Sequence, residues 1–305
     1  MIVNPPILRR LIGQLRRNSP IPRSQWGDFP TKQSVDRARF ASDMALAPAT
    51  TQYVMFFTPR SGSSWICDIA TRTGRLGVLG ESFNPNFLTN MTRAMNATSL
   101  DEYCDIAVRR RARNDVFGFQ ITQHQLNAVF ASEDAFLKRF PSKNSFWLIR
   151  EDIVLQAISL YRMKVTNLAH SPNATPDKIR ETEDLFTYNG PEIRSWLEHI
   201  LAAEQATEAM ITRAGLKPLR MSYERNTNLK PSHLLNVMGR HLGLPTMRLK
   251  SVHSAHTKIA TGRNAEFGDR FRNEQRDFLK RVDEMRAPTL EKLVYYGPKR
   301  QRPAQ

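Results

Sequence analysis

Apolar positions along the chain change their period several times, and each change marks an element. Thr51-Gln-Tyr-Val-Met-Phe-Phe-Thr58 holds a short apolar run bounded by polar residues and Pro59, which predicts a buried strand. Val116–Ile121 and Ser145–Ile149 read the same way, and Leu219–Tyr223 is a fourth strand candidate. Between them the pattern turns helical. Residues 63 to 73 are expected as a helix closed by Gly74, residues 152 to about 163 as a second, and residues 231 to 242 as another. Ile193, Trp196, Leu197, Ile200 and Leu201 recur at i, i+3, i+4, i+7 and i+8, so residues 191–214 are an amphipathic helix. Short buried strands alternating with helices predict βαβ units, and hence a three-layer α/β/α domain around a mainly parallel sheet.

Residues 1–50 lack this regularity. They carry eight basic and three acidic side chains and several prolines, and read as a basic N-terminal arm ahead of a domain spanning 51–295, with a basic tail at 296–305. Within the arm Ile7, Leu8, Leu11, Ile12 and Leu15 share a helical face ringed by Arg9, Arg10, Arg16 and Arg17. That pattern suits either a peripheral helix on an anionic membrane or a short helix against the domain.

Composition narrows the class. Of 305 residues 40% are hydrophobic and 24% charged, an ordinary globular balance. No apolar run approaches the ~20 residues of a membrane span, and the arginines near the start interrupt any signal-peptide core, so a cytoplasmic location is expected. Two cysteines, Cys67 and Cys104, make neither a zinc ribbon nor a disulfide framework. His253 and His256 have no companion ligand pattern, and no metal site is expected. The net charge of +16 implies an anionic partner without naming it.

The candidate chemistry begins at the first strand. A strand, a short loop with Gly62 and a helix start make a phosphate cradle, where backbone N–H groups and the helix dipole favour an anion. The nucleoside-triphosphatase pattern, GxxxxGK followed by Ser or Thr, does not fit: Ser63 and Ser64 follow Gly62, and Phe57 stands where the earlier glycine belongs. The cation, Arg60, comes before the glycine instead.

Thr58-Pro59-Arg60-Ser61-Gly62-Ser63-Ser64-Trp65 resembles the 5′-phosphosulfate loop of sulfotransferases that use 3′-phosphoadenylyl sulfate (PAPS). Arg150-Glu-Asp-Ile-Val-Leu-Gln-Ala-Ile-Ser159-Leu-Tyr-Arg162 is similar to their 3′-phosphate element. Gly77-Val-Leu-Gly-Glu81-Ser-Phe-Asn-Pro85 resembles the matching loop of the bacterial trehalose 2-sulfotransferase family, with Phe117–Gln120 and Arg220–Glu224 as supporting stretches. The likeness runs from about residue 52 to 275 in the right order.

This resemblance implies the roles. Arg60 and the N–H groups of Ser61, Gly62, Ser63, Ser64 and Trp65 would hold the 5′-phosphate and sulfate, with the Ser63 and Ser64 hydroxyls adding hydrogen bonds. Arg150 and Ser159 would hold the 3′-phosphate, and Glu81 would be the general base. Many cytosolic sulfotransferases use a histidine there, but no histidine lies between the cradle and Phe117; the first is His124. Lys258 and Arg263 are candidates to close over the nucleotide. Gln120 stands where many members carry Lys. The implied reaction moves a sulfuryl group from PAPS to a hydroxyl of a carbohydrate or glycolipid, leaving adenosine 3′,5′-bisphosphate. The implied assembly is a homodimer. The rivals left open are a P-loop nucleotide or small-molecule kinase, a basic nucleic-acid-binding protein, and a degenerate fold that binds nucleotide without turnover.

Overall fold

The computed structural model describes residues 28–141, 143–168, 175–249, 251–256 and 260–295. Strands β1 (Thr51–Phe57), β2 (Val116–Ile121), β3 (Ser145–Ile149) and β4 (Leu219–Ser222) form one sheet of order β2-β1-β3-β4, parallel throughout. Helix α1 (Arg37–Met44) precedes β1, while α2 (Ser63–Thr73), α3 (Pro85–Ala94) and α4 (Leu100–Arg110) connect β1 to β2. The connection to β3 holds α5 (Gln123–Val129) and α6 (Glu133–Arg139). The connection to β4 holds α7 (Ile153–Thr166), α8 (Pro176–Glu183) and α9 (Gly190–Arg213). After β4 come α10 (Tyr223–Thr227), α11 (Pro231–His241), α12 (Gly262–Glu274) and α13 (Arg276–Leu290).

The continuous apolar strands bury both faces because alternate side chains point to opposite layers. Val54, Phe56, Phe117, Phe119, Trp147 and Ile149 pack with α4, α5 and α6. Tyr53, Met55, Phe57, Phe146, Leu148 and Met221 pack with α2 and α11 on the other side. The layers thus match the α/β/α expectation. A third cluster joins α7 and α9 to α12 and α13 through Ile158, Leu197, Phe271 and Val282.

One close approach fixes the sheet centre. A Cβ on Gly118 would lie 2.1 Å from Cζ of Tyr53, whose fully buried ring crosses the neighbouring strand and donates to the Leu76 carbonyl at 2.8 Å. Only glycine fits opposite that ring.

The chain runs from β1 to β2 on one side and then crosses to β3 on the other, so the strand order reverses at β1/β3. In open parallel sheets ligands bind outside the carboxyl ends of the strands at such a switch point. Arg60 and Arg150 emerge there, after β1 and β3.

The segment expected as an arm contributes one described α-helix, α1. It packs on α4 through Phe40 and a two-bonded ion pair from Arg37 to Glu102 at 2.8 and 2.9 Å. The basic amphipathic stretch at 7–17 and the tail from 296 lie outside the described residues. Among the described residues no helix is long and apolar enough to cross a membrane.

Candidate active site

The cradle is built by backbone geometry. Arg60 sits at φ 66°, in the left-handed region that a residue with a Cβ enters at a cost on the order of 1 kcal/mol, and Gly62 follows at φ 84°. These turns swing the chain into α2, whose N-cap is Gly62 and which therefore has no side-chain cap. The first helical bond in the turn is Ile66 N–H to the Gly62 carbonyl, so the N–H groups of Ser63, Ser64 and Trp65 face the opening of the helix. The Ser61 hydroxyl turns inward and donates to the Thr58 carbonyl at 2.6 Å. Ser63 and Ser64 hydroxyls make no hydrogen bond among the described residues.

Helix α7 braces this loop. Buried Gln156 donates to Thr58 Oγ1 at 2.9 Å and to the Pro59 carbonyl at 2.6 Å. Three residues further along, Ser159 accepts from Arg60 Nε at 3.0 Å, joining the two halves of the predicted donor site directly. Arg150, at the end of β3, is 16% exposed, and among the described residues its guanidinium makes no hydrogen bond. It lies 4.9 Å over the Tyr223 ring and 3.5 Å from Glu224. The same ring fills the space beside the cradle: a Cβ on Gly62 would fall 2.6 Å from Tyr223 Cδ2.

The resulting field is positive. Burial first, then the Arg150 cation, pushes the Arg60 pKa down from its ordinary value; Tyr223 acts oppositely and Arg162 adds to the depression. Guanidinium groups stay charged through such shifts, so like charges crowd at a helix N-terminus and favour a polyanion.

Glu81 is positioned from the core outward. Two residues on, Phe83 is fully buried against Tyr103, Phe119, Phe130 and Phe140, at centroid distances of 4.9 to 5.6 Å. Tyr103 donates to the Ser82 carbonyl at 2.7 Å, and Gln120 N–H to the Gly80 carbonyl at 3.0 Å. These contacts fix the loop beside the end of β2. The Glu81 carboxylate then accepts Asn84 Nδ2 and Gln125 Nε2, both on Oε2 at 2.6 Å. Its other oxygen, Oε1, has no hydrogen bond among the described residues. The cradle helix lies close by: burial raises the Cys67 thiol pKa, and the negative charge of Glu81 adds to the rise ahead of that of Asp68.

Sequence reasoning did not find Gln125, and gave no role to Phe83, Asn84 and Gln156 within the motifs it quoted. Gln125 carried a readable signal as the third helical residue of a Thr122 capping box; its Oε1 accepts the Thr122 N–H at 3.0 Å while its amide nitrogen holds Glu81. Of the nucleotide-closing candidates, Lys258 lies outside the described residues, and Arg263 donates to the carbonyls of Glu183 and Phe186. The preceding loop is pinned to α2, since Ser254 Oγ and Ala255 N–H both donate to Asp68 Oδ2 at 2.7 Å. His253 pairs with the Ser251 hydroxyl. Among the described residues no group of three metal-ligating side chains comes together. Gln120 is buried at the end of β2, and its Oε1 has no hydrogen-bond partner among the described residues.

No curated protein matches the chain. A family comparison matches residues 52–274, the stretch that holds the cradle, Glu81, Arg150 and the helices that support them. The chain belongs to the Stf0 sulphotransferase family, the trehalose 2-sulfotransferase family, and is a sulfotransferase.

Proposed function

We propose that the donor is PAPS, that the acceptor is a hydroxyl of a carbohydrate or glycolipid, and that Glu81 is the general base. The observation that carries the donor assignment is the Arg60–Ser159 bond, which joins the open N-terminus of α2 to the helix that follows Arg150, whose Nε makes no hydrogen bond among the described residues. A ligand with one phosphate at the cradle and another near Arg150 fits that arrangement. The sequence lacks the lysine that a nucleoside triphosphate would require.

PAPS, when bound, supplies an activated sulfuryl group and a phosphate leaving group. Arg60 and the N–H groups of Ser63, Ser64 and Trp65 would bind the 5′-phosphosulfate and stabilise charge developing on the departing phosphate. Arg150 would bind the 3′-phosphate. Ser159 has both a proton and lone pairs, so it can accept from Arg60 and donate to a phosphate oxygen. Glu81, tethered through Oε2, presents Oε1 to the acceptor hydroxyl and takes its proton as the oxygen bonds to sulfur. A positioned base contributes about 10²–10⁴-fold.

We further place the enzyme as a homodimer near an anionic membrane, where lipid-linked glycans would meet it, held by the basic segment at 1–50. Deleting those residues should weaken binding to anionic vesicles; unchanged binding would remove that part of the reading. The reaction itself is tested with labelled PAPS and a panel of saccharides and glycolipids. Label transfer that Glu81→Gln abolishes supports the assignment. Transfer that survives Glu81→Gln at full rate removes Glu81 from it, and specific use of Mg·ATP removes the donor.

A further inference from the structure

The turn that carries Arg150 is gripped by ionised side chains on both of its polar sides. Arg286, from α13, donates to the Arg150 carbonyl at 2.6 Å and the Glu151 carbonyl at 2.7 Å. Glu224, after β4, accepts the N–H of Glu151 at 2.8 Å and of Asp152 at 3.3 Å. Behind Arg286 stands Glu204 of α9, bonded to its Nε at 2.8 Å and Nη2 at 3.0 Å. Arg286 and Glu204 are 2% and 4% exposed, a fully buried ion pair far along the chain from any predicted site residue.

Buried ion pairs are poor sources of stability, because desolvating both charges offsets their attraction. Burial indeed raises the Glu204 pKa, and Arg286 only partly reverses this. What this pair supplies is geometry. One edge of the planar guanidinium is fixed by the carboxylate, so its remaining donors meet the two carbonyls in a set direction; a lysine cannot serve both. Those carbonyls belong to the residue proposed to bind the 3′-phosphate and to its neighbour. A tilt of this turn would swing the Arg150 guanidinium from its place over Tyr223.

We propose that Arg286 is a positioning residue for the 3′-phosphate arm of the donor site, with Glu204 as its anchor, so that the last helix is a working part of nucleotide recognition. This rests on the reading that Arg150 binds the 3′-phosphate. Among the described residues Arg286 bonds to this turn and to Glu204, and not to the cradle loop, which would meet the 5′-phosphate through α2.

The test is calorimetric binding of adenosine 3′,5′-bisphosphate and of 5′-AMP to the full chain, to Arg286→Lys, and to the neutral pair Arg286→Gln with Glu204→Gln. In each folded variant the preference for the bisphosphate should fall by about tenfold or more, while the 5′-AMP Kd moves less than about twofold. An unchanged preference, or equal loss for both nucleotides, overturns the inference. Failure of both variants to fold would also overturn it, by giving the pair a folding role alone. Absence of any bisphosphate preference in the unmodified chain would instead sink the donor assignment beneath it.

Discussion

Arg60 Nε donates to Ser159 Oγ at 3.0 Å, across ninety-nine residues of sequence, and this bond ties the cradle after β1 to the helix after β3. On the proposed reading Ser159 serves the 5′ end of the nucleotide as well as the 3′ end. Ser159→Ala removes one hydrogen bond to a charged group, worth about 1.5–3 kcal/mol in favourable cases. The account expects 5′-AMP affinity to fall several-fold and bisphosphate affinity to fall further. Titration calorimetry reads both. An unchanged 5′-AMP Kd would show that the bond to Arg60 has no bearing on binding.

Glu81 is held by Asn84 and Gln125 through a single oxygen. Glu81→Gln keeps the shape and removes the base, so kcat should fall by about 10²–10⁴ while bisphosphate affinity holds. Gln125→Leu leaves the carboxylate in place but loosens it, and should lower kcat less severely at unchanged donor affinity. Loss of donor binding in either variant would mean that Glu81 serves the donor site instead.

Phe83 anchors the Glu81 loop in the core. Phe83→Leu leaves a smaller apolar group where four aromatic rings meet, so the fold should survive with reduced stability, whereas Phe83→Ala should cost about 3–5 kcal/mol. Because the same loop carries Glu81, Phe83→Leu should also lower kcat. Thermal melts paired with turnover assays check this; a fully active, destabilised variant would show that the loop finds its place without the anchor.

The docking of α1 should depend on acid. The Arg37 hydrogen bonds, against a smaller burial effect and with help from Thr98, lower the Glu102 pKa from 4.5 to about 2. A carboxylate depressed by folding contributes stability that is complete above its unfolded pKa and is lost as pH falls through its folded value. The pair is partly exposed, so its contribution is about 1 kcal/mol. The melting difference between the unmodified chain and Glu102→Gln should be full at pH 7, shrink below about pH 4.5 and vanish near pH 2. A difference that does not vary with pH would assign the effect to packing.

Much of this was legible in the chain itself. Continuous apolar strands cannot be satisfied unless both faces are covered, so β1 to β3 and their layers followed from pattern. Gly74 closes α2 at φ 63°, as its position after the last periodic residue implied. The cradle and Arg150 were readable as candidates because their residues are concentrated in short contiguous stretches. Helices α1, α3, α4, α6, α8 and α10 were not read in advance, and nor were the supports of the site. Gln156, Gln125 and Arg286 look like unremarkable helical polar residues until folding sets them against a loop, a carboxylate and two carbonyls. Their function lies in long-range contact, which no local spacing encodes. Gly118 is similar: nothing near it in sequence announces the Tyr53 ring that excludes a side chain there.

The central claim is a donor site with two separated phosphate subsites, and a thermal-shift titration tests it most directly. Adenosine 3′,5′-bisphosphate is compared with 5′-AMP and Mg·ATP on the unmodified chain and on Arg150→Ala. A ligand confined to the folded state adds about 2.7 kcal/mol at a hundred times its Kd. The account predicts selective stabilisation by the bisphosphate, reduced to the 5′-AMP level in Arg150→Ala. Stabilisation by Mg·ATP instead, or a bisphosphate response that Arg150→Ala leaves intact, would contradict it.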